Sequence, residues 1–217
     1  MKQTKLFLVP ALIALLLGST SALAKEKAKA KEASTKSTAA KYEAGSYDID
    51  PAHSSVGFEI PHLVISTVEG KFNSFSGKID LNEKIEKSSV EVSIETASID
   101  TGVKKRDDHL RSGDFFDVDK KENKNITFKS TSVQGSLENL EIKGQLTIKG
   151  KTNPVTLKTK YLGTVVDGYG NKKVAFNAKT EINRQDFGLT WSSMIEAGPA
   201  VGDTVTITLK IQAAKSK

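Results

Sequence analysis

No cysteine occurs among the 217 residues. Its absence excludes a lipid-modified N-terminal Cys, structural disulfides and thiolate metal sites together. No apolar run is long enough to cross a bilayer either. The run from Leu6 to Leu17 has 12 residues, against the roughly 20 a spanning helix needs. Lys2 and Lys5 precede it, and small residues with Ala22-Leu23-Ala24 follow. That order reads as a secretory signal peptide over 1–24, cleaved after Ala24.

A basic footprint is missing as well, once the charge is located. The formal charge is +6, but Lys2 and Lys5 leave with the leader, and "KEKAKAKEASTKSTAAK" at 25–41 carries six Lys against two Glu. The remaining 42–217 is neutral. A neutral body lacks the cationic surface that a phosphate backbone requires, so no nucleic-acid partner is expected. The Lys/Ala-rich stretch has no apolar stripe and is expected to be a disordered tether over 25–45. Its one expected contact is a weak one with an anionic membrane surface.

Catalytic signatures are equally sparse. His53, His62 and His109 have no metal-ligand spacing, with Pro61 expected to interrupt the strand between the first two, so no metal is expected. No Gly-x-Ser-x-Gly elbow and no glycine-rich phosphate loop occurs, and no cofactor is implied. Asp107, Asp108, Asp114 and Asp117 are interleaved with arginines, which neutralise carboxylates rather than tune them as an acid–base pair.

What is present is a period of two. Val56, Phe58 and Ile60 alternate with other residues; so do Val90, Val92 and Ile94, and so do Ile142, Leu146 and Ile148. Val155, Leu157 and Tyr161 continue the pattern, as do Val174, Phe176, Ala178 and Ile182, and then Val205, Ile207, Leu209 and Ile211. Each such run is a strand with one dry and one wet face. "GKTNP" at 150–154 and "DGYGN" at 167–171 read as hairpin turns. Within 68–81 the apolar phase changes, which predicts a bulge or bend near Asn73-Ser74. Spacing alone leaves sandwich and barrel open. Long strands, a bent strand and inward glycines favour an all-β, single antiparallel barrel of about eight strands.

"RDDHLRSGDFFD" at 106–117 breaks this rhythm. Thr101 as N-cap, Val103 and Leu110 on one face, and Gly113 as terminator predict a short helix crossing one end of the barrel. Asp107 and Arg111, four apart, are expected to pair. Arg106, Asp107, His109, Arg111 and Asp114 form a candidate structural latch. If the segment is extended, only one of Phe115 and Phe116 faces inward.

In this order, several motifs resemble the YceI-like family of polyisoprenoid-binding proteins. They are Asp50-Pro51-Ala52-His53-Ser54, His62-Leu63, Gly70-Lys71-Phe72, Ser98-Ile99-Asp100-Thr101, residues 106–117, Ile126-Thr127-Phe128, 144–150 and Arg184-Gln185-Asp186-Phe187-Gly188. The resemblance covers 46–213 and leaves 214–217 as a tail. It implies a lipocalin-like barrel, secretion to the periplasm, and a long isoprenoid chain in the interior, carried by a non-enzymatic binding protein. Two departures stand out. Tyr47 stands where the family often has Trp, and "DVDKKENKN" replaces a Tyr-Pro pair ahead of Ile126.

The candidate ligand-binding residues are Phe58, Ile60, Phe72, Phe115, Phe116, Phe128, Leu146, Phe176 and Trp191. An enzyme acting on a lipid headgroup through the His109 region, and an envelope interaction module with a filled barrel, are the alternatives. Oligomeric state is not legible, a dimer being one option.

Overall fold

The computed structural model describes residues 42–195 and 198–217. The leader expected over 1–24 and the tether as far as Lys41 lie outside these residues.

The alternating residues form strands β1 (Gly45–Ile49), β2 (Ser55–His62), β3 (Ser66–Phe72), β4 (Phe75–Leu81), β5 (Ser89–Glu95) and β6 (Ile99–Asp100). Then follow helix α1 (Lys104–Arg111) and strands β7 (Asn125–Ser136), β8 (Asn139–Ile148), β9 (Lys151–Val166) and β10 (Lys172–Asn183). A two-stranded ribbon, β11 (Met194–Ile195) with β12 (Gly198–Pro199), precedes the last strand, β13 (Thr204–Lys215). Every ladder is antiparallel, and the order β1-β4-β5-β7-β8-β9-β10-β13 closes through a β1–β13 pairing. That is a closed eight-stranded antiparallel barrel. β13 also carries β2 on its upper half, at Lys210↔Ser55 to Thr206↔Glu59, and β2 carries β3. The β1/β2 and β3/β4 pairs therefore each act as one strand bent in the middle.

The β3/β4 bend falls at Asn73-Ser74, where the apolar phase changes. Asn73 N–H leaves the ladder to donate to Ser98 O at 3.1 Å. Two inward glycines show why the wall tolerates bulky aromatics. A Cβ at Gly70, opposite Phe58 in register, would lie 2.3 Å from Phe58 Cζ. One at Gly144 would lie 2.4 Å from Phe128 Cζ. The rings lie across the glycines, and curvature and side-chain volume are accommodated together.

Both expected hairpins form, but the turn of the first is Lys149-Gly150, and Lys151 to Pro154, expected within the turn, belong to β9. Lys149 and Gly150 take φ of 51° and 71° between β8 and β9. Between β9 and β10, Asp167 accepts from Tyr169 N–H and Asn171 N–H, each at 2.9 Å. Three further expectations are corrected. Pro61 does not interrupt β2; it lies beyond Glu59, where pairing with β13 stops, so its missing N–H costs no rung there. Thr101 is not the N-cap of α1; Val103 occupies that position without a side-chain bond. Asp107 does not pair with Arg111; it turns back to Thr101, and Arg111 pairs with Asp108 at 3.4 Å.

The residues just ahead of β1 are tied to the barrel. Tyr42 donates to Asn82 O at 2.6 Å, and Glu43 is clamped between Lys172 of β10 and Lys215 of β13. Hydrogen bonds from Lys172 and then Lys215 lower the Glu43 pKa from 4.5 to about 2. A depressed carboxylate stabilises the fold above its unfolded pKa, and the contribution is lost as pH falls through the folded one. The expected result is a local loss of amide-exchange protection in β1 and the end of β13 between pH 4.5 and about 2. Glu43→Gln should remove that local titration, as hydrogen-exchange mass spectrometry can read.

Candidate functional site: an apolar chamber inside the barrel

The inward faces enclose a cavity of about 380 Å³, within the range of small-molecule pockets. All nine candidate residues line it, from Phe58, Ile60 and Phe72 on one wall to Phe128, Leu146 and Phe176 on the other, with Phe115, Phe116 and Trp191 above. Ile207, Leu209 and Ile211 of β13 complete the wall. These three were legible as an alternating strand but not singled out. The interior is thus hollow rather than filled by side chains.

Both phenylalanines of the pair are buried and line the chamber, which corrects the expectation of one. The reason is local: 112–117 is a turn, not an extended segment. Phe115 N–H donates to Ser112 O at 3.1 Å and Phe116 N–H to Leu110 O at 3.0 Å, and Asp117 takes φ 51°. A turn swings adjacent side chains to the same side. Phe116 meets Phe72 edge-on at 6.1 Å, and Phe115 lies 5.1 Å from the Trp191 ring. His109 meets both Phe115 and Trp191 edge-on, at 5.0 and 5.3 Å.

The charged residues of α1 hold this aromatic group in place. Arg106 Nε donates to Thr101 Oγ1 at 2.7 Å, and its Nη2 to Thr101 O at 2.9 Å. Buried Asp107 accepts from Thr101 N–H at 2.9 Å. Arg111 Nε donates to Ala97 O at 2.8 Å and its Nη2 to Ile99 O at 2.5 Å. His109 Nε2 bonds Asp114 Oδ2 at 2.8 Å. Most of these bonds run to backbone on the segment leading out of β5, so the helix is fastened to the wall and not only to itself. The lysine-rich loop that replaces the Tyr-Pro pair is anchored too: Asn123 is buried and donates to Asp117 O at 3.1 Å.

Arg184 was quoted within a motif but not singled out as functional. Its side chain is 3% exposed. Nε donates to Gly202 O at 2.9 Å, Nη1 to Trp191 O at 2.7 Å and to Leu189 O, and Nη2 to Asp203 at 3.2 Å. One guanidinium thus gathers both ends of the 184–203 segment over the chamber and sets Trp191. A lone arginine after a strand carries no periodic signal, so pattern reading passes over it.

His53 Nδ1 bonds Asp50 Oδ2 at 2.8 Å outside the chamber, whereas His62 lines it. Among the described residues no group of three His, Asp or Glu side chains is placed to hold a metal ion.

A closed antiparallel barrel around an apolar chamber, lidded by one short helix, defines a lipocalin-like protein. The chain belongs to the YceI-like family: the model of the YceI-like domain matches residues 47–213. A UPF0312 protein of Pseudomonas paraeruginosa is 39% identical over 166 residues, covering 75% of this chain and 84% of the relative. A UPF0312 protein of Serratia proteamaculans is 38% identical over 177 residues, covering 80% and 88%. Among solved structures, Burkholderia cenocepacia BcnA superposes with a TM-score of 0.66 at 25% identity, over 76% of this chain and 98% of that one. A polyisoprenoid binding domain from Saccharophagus degradans shares the fold, with a TM-score of 0.58 at 14% identity over 80% and 100% of the two chains.

Proposed function

We propose that the protein holds a long-chain polyisoprenoid lipid, of the isoprenoid quinone or prenyl phosphate type, in its barrel. On this reading it works in the periplasm, in transport, storage or protection, without a catalytic step. The observation that carries the reading is the chamber itself, hollow and walled by aliphatic and aromatic side chains. At ~0.8 kcal/mol per buried CH₂, one isoprene unit contributes roughly 3 to 4 kcal/mol, and three contribute roughly 10 before ordering costs. Sub-micromolar binding needs about 8 kcal/mol net, so the chamber must bury a chain of several such units to offset the ordering costs. The polyisoprenoid binding domain of Saccharophagus degradans, alike in fold, supports the ligand class. The expected result is a saturable change in Trp191 fluorescence on titration with geranylgeranyl diphosphate. Trp191 is the sole tryptophan, and no response at saturating probe would contradict the reading.

A headgroup-processing enzyme is the second reading, favoured by one contact: His109 lines the chamber while bonded to Asp114. The two readings separate in His109→Gln. As part of a latch whose side chains are 42% and 60% exposed, its loss should lower stability by no more than about 1 to 2 kcal/mol and leave prenyl binding intact. A catalytic histidine would instead lose roughly 10²-fold or more in turnover. A melting curve and an extracted-lipid profile on the same sample read both.

A further inference from the structure

A proline inside a strand confines that stretch to an edge, because it cannot donate to a ladder. Pro154 lies within β9, whose lower-numbered half pairs with β8 from Lys151↔Ile148 onward. On its other side the β9–β10 ladder stops at Lys179↔Lys158. β10 runs on to Asn183, paired there with β13 alone. The wall is therefore unpaired between residues 151–157 and 180–183.

A groove of about 830 Å³ occupies the outer side of this breach. It shares Val155, Thr180 and Ile182 with the chamber, so the same three residues face both spaces. The breach is framed. Its foot is the Lys158↔Lys179 rung, and its head is the bond from Asn153 Nδ2 to Asp186 O at 3.2 Å. Like charges directly opposite across a ladder are destabilising, and Lys158, Lys179 and Lys143 make no ion pair among the described residues. Glu181 and Asp186 stand on the same rim, so the frame mixes charges and is polar where the chamber is not.

At one end of the barrel Trp191, Phe115 and His109 pack together beside the chamber, held by α1 and Arg184. At the other, Tyr47, Leu140, Val174 and Ala213 are at most 2% exposed.

We propose that this window is the route by which a prenyl chain enters the chamber, chain first, leaving its headgroup outside among the lysine, amide and hydroxyl groups of the rim. The inference rests on the reading of the chamber as a prenyl site. It accounts for a proline within a long strand, for the unpaired stretch between β9 and β10, and for lysines facing one another at its foot.

The absence of cysteine makes the test clean. In the full chain, Thr156→Cys with Glu181→Cys places one thiol on each side of the window, to be bridged by a short bis-maleimide. Lys160→Cys with Asn177→Cys, bridged likewise, spans strands that are already paired and involves no residue of the rim. Uptake of geranylgeranyl diphosphate is followed by stopped-flow Trp191 fluorescence, and melting curves establish that each form is folded. If the first pair does not fold, Asn153→Cys with Asn183→Cys replaces it. The expected result is uptake at least ten-fold slower when the window is bridged than in the same variant unbridged, with the lower bridge changing the rate less than two-fold. Equal rates for bridged and unbridged window, or equal slowing by both bridges, would overturn the route while leaving the chamber reading intact. No uptake by any form, the wild type included, would overturn the chamber reading and the route with it.

Discussion

Phe128→Asp is expected to leave no folded barrel under native conditions. Phe128 sits mid-strand in β7, opposite Val92 on one side and Leu146 on the other, and lies across Gly144. It is 7% exposed, and no cationic side chain stands among the residues paired with it. A carboxylate there is either buried unpaired or protonated at a cost, and the ring's packing is lost as well. The combined penalty, more than about 4 kcal/mol, rivals the whole net stability of a typical domain. Phe128→Leu separates packing from charge. It should cost about 1 to 2 kcal/mol and keep a cooperative transition. Chemical denaturation followed by circular dichroism reads both, and a folded, cooperatively melting Phe128→Asp would contradict the placement of this residue.

Arg184→Met should lower stability by about 3 to 5 kcal/mol, because the carbonyls of Gly202, Leu189 and Trp191 lose their shared donor in a site with little access to water. Methionine roughly preserves the apolar stem, so the loss reports the guanidinium. The effect should also be positional. With the 184–203 segment released, Trp191 should show red-shifted emission and a weakened response to a prenyl probe even where the barrel still melts cooperatively. Asp203→Asn, which removes only the half-exposed partner, should cost less than about 1 kcal/mol. Comparable losses in the two variants would place the stabilisation in the ion pair instead.

Much of the barrel was legible because its signal is local and repetitive. Val174, Phe176, Ala178 and Ile182 had to share a face whatever the rest of the chain did, and the phase change in 68–81 had to be resolved by a bend. The same alternation pointed Phe58, Phe72, Phe128 and Phe176 inward. What the pattern missed depended on contacts distant in sequence or on an unrecognised turn. Phe115 and Phe116 both face the chamber because 112–117 curls, and nothing in that segment's composition distinguishes the curl from an extended crossing. Asp107 was assigned to Arg111 by helical spacing, but Thr101 offers it two donors just ahead of the helix, and two short bonds outcompete one exposed ion pair. Arg184 is the larger omission. Its importance lies in four acceptors spread from Leu189 to Asp203, none of which forms a motif with it. Pro154 was read only as part of a hairpin turn, whereas in the structure it marks where the wall stops being laddered on one side.

The central claim is that the hollow interior is a site for a prenyl chain, and the most direct test is mass spectrometry of lipid extracted from protein freshly purified from its native host. The expected result is a long prenyl chain, as quinone or phosphate, in near-stoichiometric amount, depleted in Phe58→Trp, where a larger side chain occupies the chamber. Protein that is folded and hollow but carries no lipid, or carries only bulk phospholipid in the proportions of the membrane, would contradict it.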